Sequence, residues 1–222
     1  RAVGSRLWTI SGGEMELIIV GAGGMGREVF SWLSHEIKDN VDFIIKGFID
    51  DNPEALGSLS YPIKVIGSII DYQPGINERL VLAILDPKTR KTITRQLMAK
   101  GANFYTLIHP SSIIGTNVKI GMGSIVCPNC ILTNDIEIGN FVFINTSSTI
   151  GHDVTIGDFT SVNGKVEITG NVKVGKECLF GVGAKVIPGR KIGDGATVGA
   201  GSVVIRNIPE GVSVFGNPAK RI

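Results

Sequence analysis

Aromatic side chains make up only 6% of the 222-residue chain, and cysteine and histidine occur three times each. Three cysteines cannot lay out the multi-bridge framework that staples small secreted domains. Long apolar runs are missing too: stretches such as Leu17 to Val20 and Leu80 to Leu85 fall far below the roughly 20 residues that cross a bilayer, so a soluble protein with no membrane partner is expected. Neither sign of charge dominates. With 22 Lys and Arg against 20 Asp and Glu, the net charge of +2 gives no general reason to expect nucleic acid or an anionic surface as partner. The opening residues Arg1 to Glu14 (RAVGSRLWTISGGE) lack the apolar core of a cleavable signal and are read as a remnant of expression ahead of Met15. With neither a signal nor a disulfide framework, the expected location is the cytoplasm.

Glycine, by contrast, is abundant, with 30 residues beside many Val and Ile, as in a chain of short strands and frequent turns. A period of six accounts for both. From Ile114 every sixth residue is apolar: Ile114, Ile120, Val126, Leu132, Ile138, Ile144, Ile150, Ile156, Val162, Ile168, Val174, Phe180, Val186, Ile192, Val198 and Val204. Two places before each, the side chain is mostly small or β-branched, as at Ser124, Cys130, Ser148, Thr160, Cys178 and Ala196, with Arg190 the clear exception. The residue after the apolar one is often glycine (Gly115, Gly121, Gly139, Gly151, Gly157, Gly175, Gly181, Gly193, Gly199), which is read as serving tight corners with unusual backbone angles. A six-residue unit is too short to bury its own face. The units must therefore stack as a parallel β-helix around a narrow apolar axis. The expected division is an α/β domain over 15–108 and the β-helix over 109–222.

The first domain opens with LIIVGAGGMGREVF, a strand, a glycine turn and a helix. Gly21, Gly23 and Gly26 satisfy G-x-G-x-x-G, and Met25, Val29, Leu33 and Ile37 mark an apolar helix face. A second strand, FIIKGFIDD, ends in Asp50 and Asp51, where a carboxylate can take ribose hydroxyls. A strand over Leu80 to Leu85, a helix begun by Asp86-Pro87 and stopped near Lys100-Gly101, and a last strand near Phe104 to Ile108 complete about one mononucleotide-binding half. The turn by itself says NAD. Half a domain followed by a β-helix, however, offers one nucleotide crevice and no evident hydride-acceptor site.

Of the three histidines, His35 falls near the end of the first helix and His109 precedes Pro110 at the entry to the β-helix; both read as structural. His152 differs. It stands two places after Ile150, on an outward corner that carries histidine in no other repeat, and Asp153 beside it can hold the ring in one orientation, as a general base requires. Cys127 to Cys130 (CPNC) has the spacing of a redox or zinc pair, but Cys130 falls on a small inward position like Cys178, and no second pair supplies further ligands.

Hexapeptides such as VKIGMGS, VTIGDFT and RKIGDGATVGAGS, ending in GVSVFGNPAKRI, resemble the left-handed β-helix acyltransferases. From Met15 to Ile222 the chain is similar to the bacterial sugar acetyltransferases of the PglD and NeuD type, in which a small Rossmann-like domain precedes such a helix. The resemblance implies the left-handed coil, acetyl-CoA as co-substrate, no metal, and a homotrimer with CoA lying between adjacent β-helices. It also implies direct transfer, with no covalent acyl-enzyme. The family pattern NTSS-x-x-x-H-[DE] matches Asn145 to Ser148 and His152-Asp153, which makes His152 the base and places Asn145 at the substrate. By family position the Gly170 N–H stabilises the oxyanion, and Ser161, Val182 and Ala200 match the CoA contacts, with Ser161 standing where some relatives have histidine. Gly23, Gly24, Met25, Asp50 and Asp51 match the contacts to the uridine diphosphate end of a sugar nucleotide; the family often has Ser-Gly-His at the first three. Lys185, Arg190, Lys191 and Lys220 can meet phosphates or simply face solvent.

Three functions are compatible with these features. One is N-acetylation of a nucleotide-linked amino sugar of the UDP-4-amino-4,6-dideoxy type; another is O-acetylation of a sugar or sialic acid hydroxyl. The third is a non-enzymatic scaffold, which the His152-Asp153 corner disfavours.

Overall fold

The computed structural model describes residues 15–37 and 43–222; Arg1 to Glu14 and the His35 side chain, with the readings placed on them, lie outside the described residues. Strands β1 (Met15–Val20), β2 (Phe43–Ile49), β3 (Val65–Gly67) and β4 (Glu78–Leu82) form a parallel sheet in the order β3-β2-β1-β4, with helix α1 (Gly24–Ile37) after β1 and α2 (Pro87–Ala99) after β4. In the central strand β1, Leu17, Ile18, Ile19 and Val20 are all fully buried, as a parallel strand covered on both faces requires. The start of α2 follows its local chemistry. Asp86 Oδ2 accepts from the Thr89 N–H at 2.7 Å, and Pro87 occupies the first helical position, where no N–H is missed. The strand expected near Phe104 to Ile108 is divided. Phe104 makes only an isolated bridge to Leu80, whereas β5 (Leu107–Ile108) pairs with Ile125–Val126 and so opens the β-helix. Among the described residues no helix is long and apolar enough to cross a membrane.

Beyond β5, two-residue strands recur every six residues, and through Lys185–Val186 each pairs in parallel with the strand 18 residues on: Thr149 with Glu167, Thr155 with Lys173, Ser161 with Leu179. Three repeats therefore make one coil, and the strands stack into three sheets, the faces of a triangular prism. From Val126 to Val204 every sixth apolar residue is buried, with Ser124, Cys130, Ser148, Thr160, Cys178 and Ala196 filling the axis between them. Arg190 stays half-buried, its Nε donating to Pro188 O at 3.2 Å.

The glycine reading needs correction. Positive φ does recur every six residues, but three places after the apolar residue, at Asn129, Asp135, Phe141, Ser147, Asp153, Phe159 and onward. The glycines that directly follow the apolar residue have ordinary φ. What excludes a side chain there is the next coil: an added Cβ would lie 1.7 Å from Thr133 O at Gly115, 2.6 Å from Gly175 C at Gly157 and 2.4 Å from Ala200 N at Gly181.

The α/β domain and the prism share one core. On the face carrying Leu107, Ile125, Phe143 and Ser161, the outward residues are as buried as the inward ones, and Leu107, Ile125 and Phe143 join Leu17, Ile19, Val29, Leu33, Phe43 and Phe48 in a single cluster. At the neighbouring edge the corner residues Phe141 and Phe159 stack at 5.1 Å, and Phe104 meets Phe141 edge-on at 5.0 Å. The α/β domain thus covers one face and one edge of the prism. The edge opposite that face carries His152.

Candidate active site

His152 sits at the corner between the face of Thr149–Ile150 and the face of Thr155–Ile156. Its Nδ1 lies 2.7 Å from Asp153 Oδ2, with both side chains more than half exposed. A carboxylate only accepts, so the shared proton is on Nδ1, and in the neutral ring the lone pair is then on Nε2. Asp153 can reach back to the ring because it occupies the positive-φ corner, at φ 58°. Gly170, one coil along, lies against the ring: a Cβ there would be 2.6 Å from Nε2. The structure therefore brings together three of the expected residues, with the Gly170 main chain against the His152 ring. The Gly170 N–H donates to nothing among the described residues.

The corner position two places after the buried apolar residue differs from edge to edge. On the edge docked to the α/β domain, side chains there cap the backbone of the coil below: Asn140 Oδ1 accepts from Met122 N at 3.0 Å, Asp158 Oδ1 from Asn140 N at 2.8 Å and Asp194 Oδ1 from Lys176 N at 2.9 Å. The third edge carries Gly164, Val182 and Ala200 at that position, which offer no acceptor, and among the described residues their N–H groups donate to nothing. Val182 and Ala200 are exposed neighbours one coil apart. That edge therefore carries a row of backbone donors without partners among the described residues. Asn145 opens the same edge, its Oδ1 accepting from the Thr146 N–H at 2.7 Å.

Ser161 does not belong with these. Its side chain is fully buried on the docked face, where Oγ donates to Leu85 O and accepts from Arg90 Nη1. The expected CoA contact is corrected to an interdomain contact, because the α/β domain covers the face on which Ser161 lies.

In the glycine turn the three motif glycines have separate reasons. Gly21 has φ +95°, a Cβ on Gly26 would fall 1.9 Å from Gly21 O, and Gly23 has open space where its Cβ would be, so a ligand can approach its backbone. Gly23 and Gly24 are exposed and Met25 half-buried at the start of α1. Both aspartates first serve the backbone. Asp50 Oδ2 accepts from the Ala22 N–H at 2.8 Å and Oδ1 from the Asn52 N–H at 2.9 Å, tying the end of β2 to the turn. Asp51 Oδ1 accepts from the Ile69 N–H at 2.8 Å and the Ile70 N–H at 3.2 Å, and the residue is exposed.

The cysteine thiols are packing groups. Burial pushes Cys127 well above the usual thiol range and Cys178 up to about 11, and Cys130 Sγ donates to Asn145 O. His109 holds the chain at the entry to the prism, with Nδ1 2.8 Å from Ser111 Oγ and the ring edge-on to Trp32. Of the four basic residues, Lys185 is paired with Glu167 at 3.2 Å, and Lys191 and Lys220 are exposed.

A prism of hexapeptide coils with a His–Asp corner over a backbone amide defines a hexapeptide-repeat acyltransferase. The PglD N-terminal domain family matches residues 16–97, and the hexapeptide repeat of succinyl-transferases matches 171–206. No curated protein matches the chain in sequence. Among solved structures, PerB from Caulobacter crescentus in complex with CoA and GDP-perosamine is 30% identical at a TM-score of 0.83, over 93% of this chain and 97% of that one. The acetyltransferase domain of PglB from Neisseria gonorrhoeae in complex with acetyl coenzyme A is 28% identical at 0.84, over 95% and 100%. WeeI from Acinetobacter baumannii is 29% identical at 0.76, over 94% and 100%. The chain belongs to the PglD-type sugar acetyltransferases of the hexapeptide-repeat superfamily.

Proposed function

We propose that this protein transfers the acetyl group of acetyl-CoA to the amine of a nucleotide-linked amino sugar, with His152 as general base. The observation that carries the reading is the His152–Asp153 pair at 2.7 Å, with Nε2 facing Gly170. The acceptor amine attacks the thioester carbonyl, Nε2 takes the N–H proton, and the Gly170 N–H receives the developing oxyanion. The C–S bond then breaks, the imidazolium returns the proton to the CoA thiolate, and an amide and free CoA leave. The carbon–nitrogen bond forms directly, so no acyl-enzyme is needed.

CoA runs along the edge of Gly164, Val182 and Ala200, and the sugar nucleotide lies in the crevice of the α/β domain, its diphosphate at the Gly23–Met25 turn and its ribose at Asp51. The GDP-perosamine held by PerB supports an acceptor of this class. That protein was also solved with one histidine replaced by asparagine or alanine, again with both ligands. Within one chain the α/β domain covers the face opposite the His152 edge, so a nucleotide-linked acceptor reaches His152 from a neighbouring copy. This supports a homotrimer whose sites lie between subunits. The uridine-linked sugar remains the first acceptor to try, and the cytoplasm, where acetyl-CoA is made, is the proposed location.

The test is thiol release from acetyl-CoA with a panel of amino and hydroxy sugars, free and linked to UDP, GDP or dTDP. Turnover should require an amine on a nucleotide-linked sugar. His152→Ala should lower kcat by about 10² to 10⁴ with circular dichroism unchanged. Turnover confined to hydroxy sugars, or a fully active monomer by sedimentation, would overturn the respective part.

A further inference from the structure

Arg90, in the first turn of α2, is 1% exposed and among the described residues makes no salt bridge, the Asp86 carboxylate acting on it only at longer range. Its five N–H groups instead lie within hydrogen-bond reach of six oxygens from two separate parts of the chain, with one Nη1 hydrogen shared between two acceptors. On the α/β side, Nη1 donates to Ile84 O at 2.7 Å and Leu85 O at 2.9 Å, in the loop between β4 and α2. On the prism side, Nε donates to Phe141 O at 2.9 Å, Nη1 to Ser161 Oγ at 2.9 Å, and Nη2 to Phe159 O at 2.7 Å and Thr160 O at 3.2 Å. Burying a guanidinium without an anion costs free energy that a methionine or leucine of similar volume would not. Burial draws Arg90 down to about 9, so the cation persists at neutral pH. A planar fork with five donors in fixed directions fixes orientation, which apolar packing does not.

The loop it grips packs against the glycine turn to which the proposed function assigns the nucleotide. Ala83 O and Ile84 Cγ1 are the nearest atoms to the Cα side of Gly21, at 3.4 and 3.7 Å from where a Cβ would be. The corners it grips, Phe141 and Phe159, stack one coil apart on the edge between the face of Thr155–Ile156 and the docked face, so the loop is fixed to the body of the prism. We propose that Arg90 is a positioning residue for the transfer, holding the acceptor crevice at a fixed place on the prism so that the bound amino sugar meets the acetyl group in register. The proposal rests on the nucleotide-sugar reading above. Lys91, paired with Glu177 on the same edge, reinforces the grip without replacing it, since that pair is partly solvated.

The experiment uses Arg90→Ala and Arg90→Lys in the full chain, with three readouts. In steady state, the acceptor KM should rise at least tenfold in both variants while the acetyl-CoA KM stays within twofold. Guanidinium at millimolar, non-denaturing concentration should restore at least a third of the acceptor kcat/KM in Arg90→Ala and do nothing for Arg90→Lys, whose ammonium fills the site. Amide exchange should speed up over 84–86 and 159–161 and remain unchanged over 143–146. Should Arg90→Ala fail to fold, Arg90→Lys, which keeps the charge and loses the fork, carries the KM comparison. An unmoved acceptor KM in a folded variant refutes the positioning role, as does a parallel rise in both KM values without rescue. A wild-type protein that acetylates no nucleotide-linked sugar sinks the functional reading and this proposal with it, whereas a working wild type beside unmoved variants sinks the proposal alone.

Discussion

Gly170→Ala isolates the geometry of the base from its chemistry. The backbone at Gly170 has an ordinary φ, so alanine adds no conformational strain there and removes some freedom from the unfolded chain, a gain of about 0.4–1 kcal/mol. The new methyl group, however, would lie 2.6 Å from His152 Nε2 and 2.7 Å from Cε1, where contact begins at 3.4 Å. The ring is more than half exposed and is the part free to move. It must retreat by most of an ångström, which stretches the 2.7 Å bond to Asp153 and carries Nε2 away from the acceptor. A displacement of that size at a reacting atom costs about 10²-fold in rate, or about 2.7 kcal/mol. The assay pairs thiol release at saturating acetyl-CoA with a thermal melt. The expected result is a melting temperature equal to or above wild type with kcat down about a hundredfold. Wild-type kcat in a variant of unchanged stability would show that Nε2 need not stay where Gly170 holds it, and the reasoning that makes it the base would fail.

Asp153→Asn should lower kcat by about 10² to 10⁴ with little change in either KM, because the asparagine NH₂ can donate to Nδ1 and move the ring proton onto Nε2; a kcat near wild type refutes the tautomer argument. Glu78 is nearly buried, and burial alone would raise its pKa. Donation from Lys46 at 2.9 Å, from the Gly75 N–H at 2.7 Å and from Tyr72 at 3.0 Å outweighs that and holds the carboxyl below its ordinary value. A lowered carboxylate contributes stability that is present above the unfolded value, near 4.5, and lost as pH falls through the folded one. Glu78→Gln should therefore destabilise the protein by about 1–3 kcal/mol at pH 7 and flatten the acid limb of the melting temperature between pH 5 and 3; an unchanged acid limb counts against the network. Phe143→Ala should cost about 3–5 kcal/mol in chemical denaturation although Phe143 points outward from its coil, and a cost below 1 kcal/mol would mean the docked face is not part of the core.

Much of the prism was legible because its period is short. One apolar residue in every six repeats from Ile114 to Val204, and His152 stands out against that background without further help. What the six-residue period hides is which face a residue occupies, since that depends on a period of 18. Along Lys119, Glu137 and Thr155 the outward residues are polar; along Leu107, Ile125 and Phe143 they are apolar. Counting in eighteens would have marked the latter face as covered and Ser161, next in that column, as buried. Arg90 carried no such signal. A helical arginine among Lys88, Lys91 and Arg95 reads as a solvated side chain, and only the docking of two domains encloses it.

The remaining gap concerns what kind of residue a site needs. Searching a sequence for chemistry favours side chains that donate, accept or attack, and it singles out His152 and Asp153 that way. Along the edge of Gly164, Val182 and Ala200 the useful groups are backbone N–H donors, which every residue but proline possesses. The sequence decides only whether something takes them first. An Asn or Asp one coil along does so, as Asn140, Asp158 and Asp194 do on the docked edge, and glycine, alanine and valine do not. The mark of a ligand-binding edge in such a prism is therefore the lack of an Asx residue at the corner, together with side chains small enough to let a ligand reach the main chain. By that criterion Val182 and Ala200 qualify by what they leave open, and replacing Ala200 with Asp would offer the Val182 N–H the acceptor that the proposed function assigns to CoA.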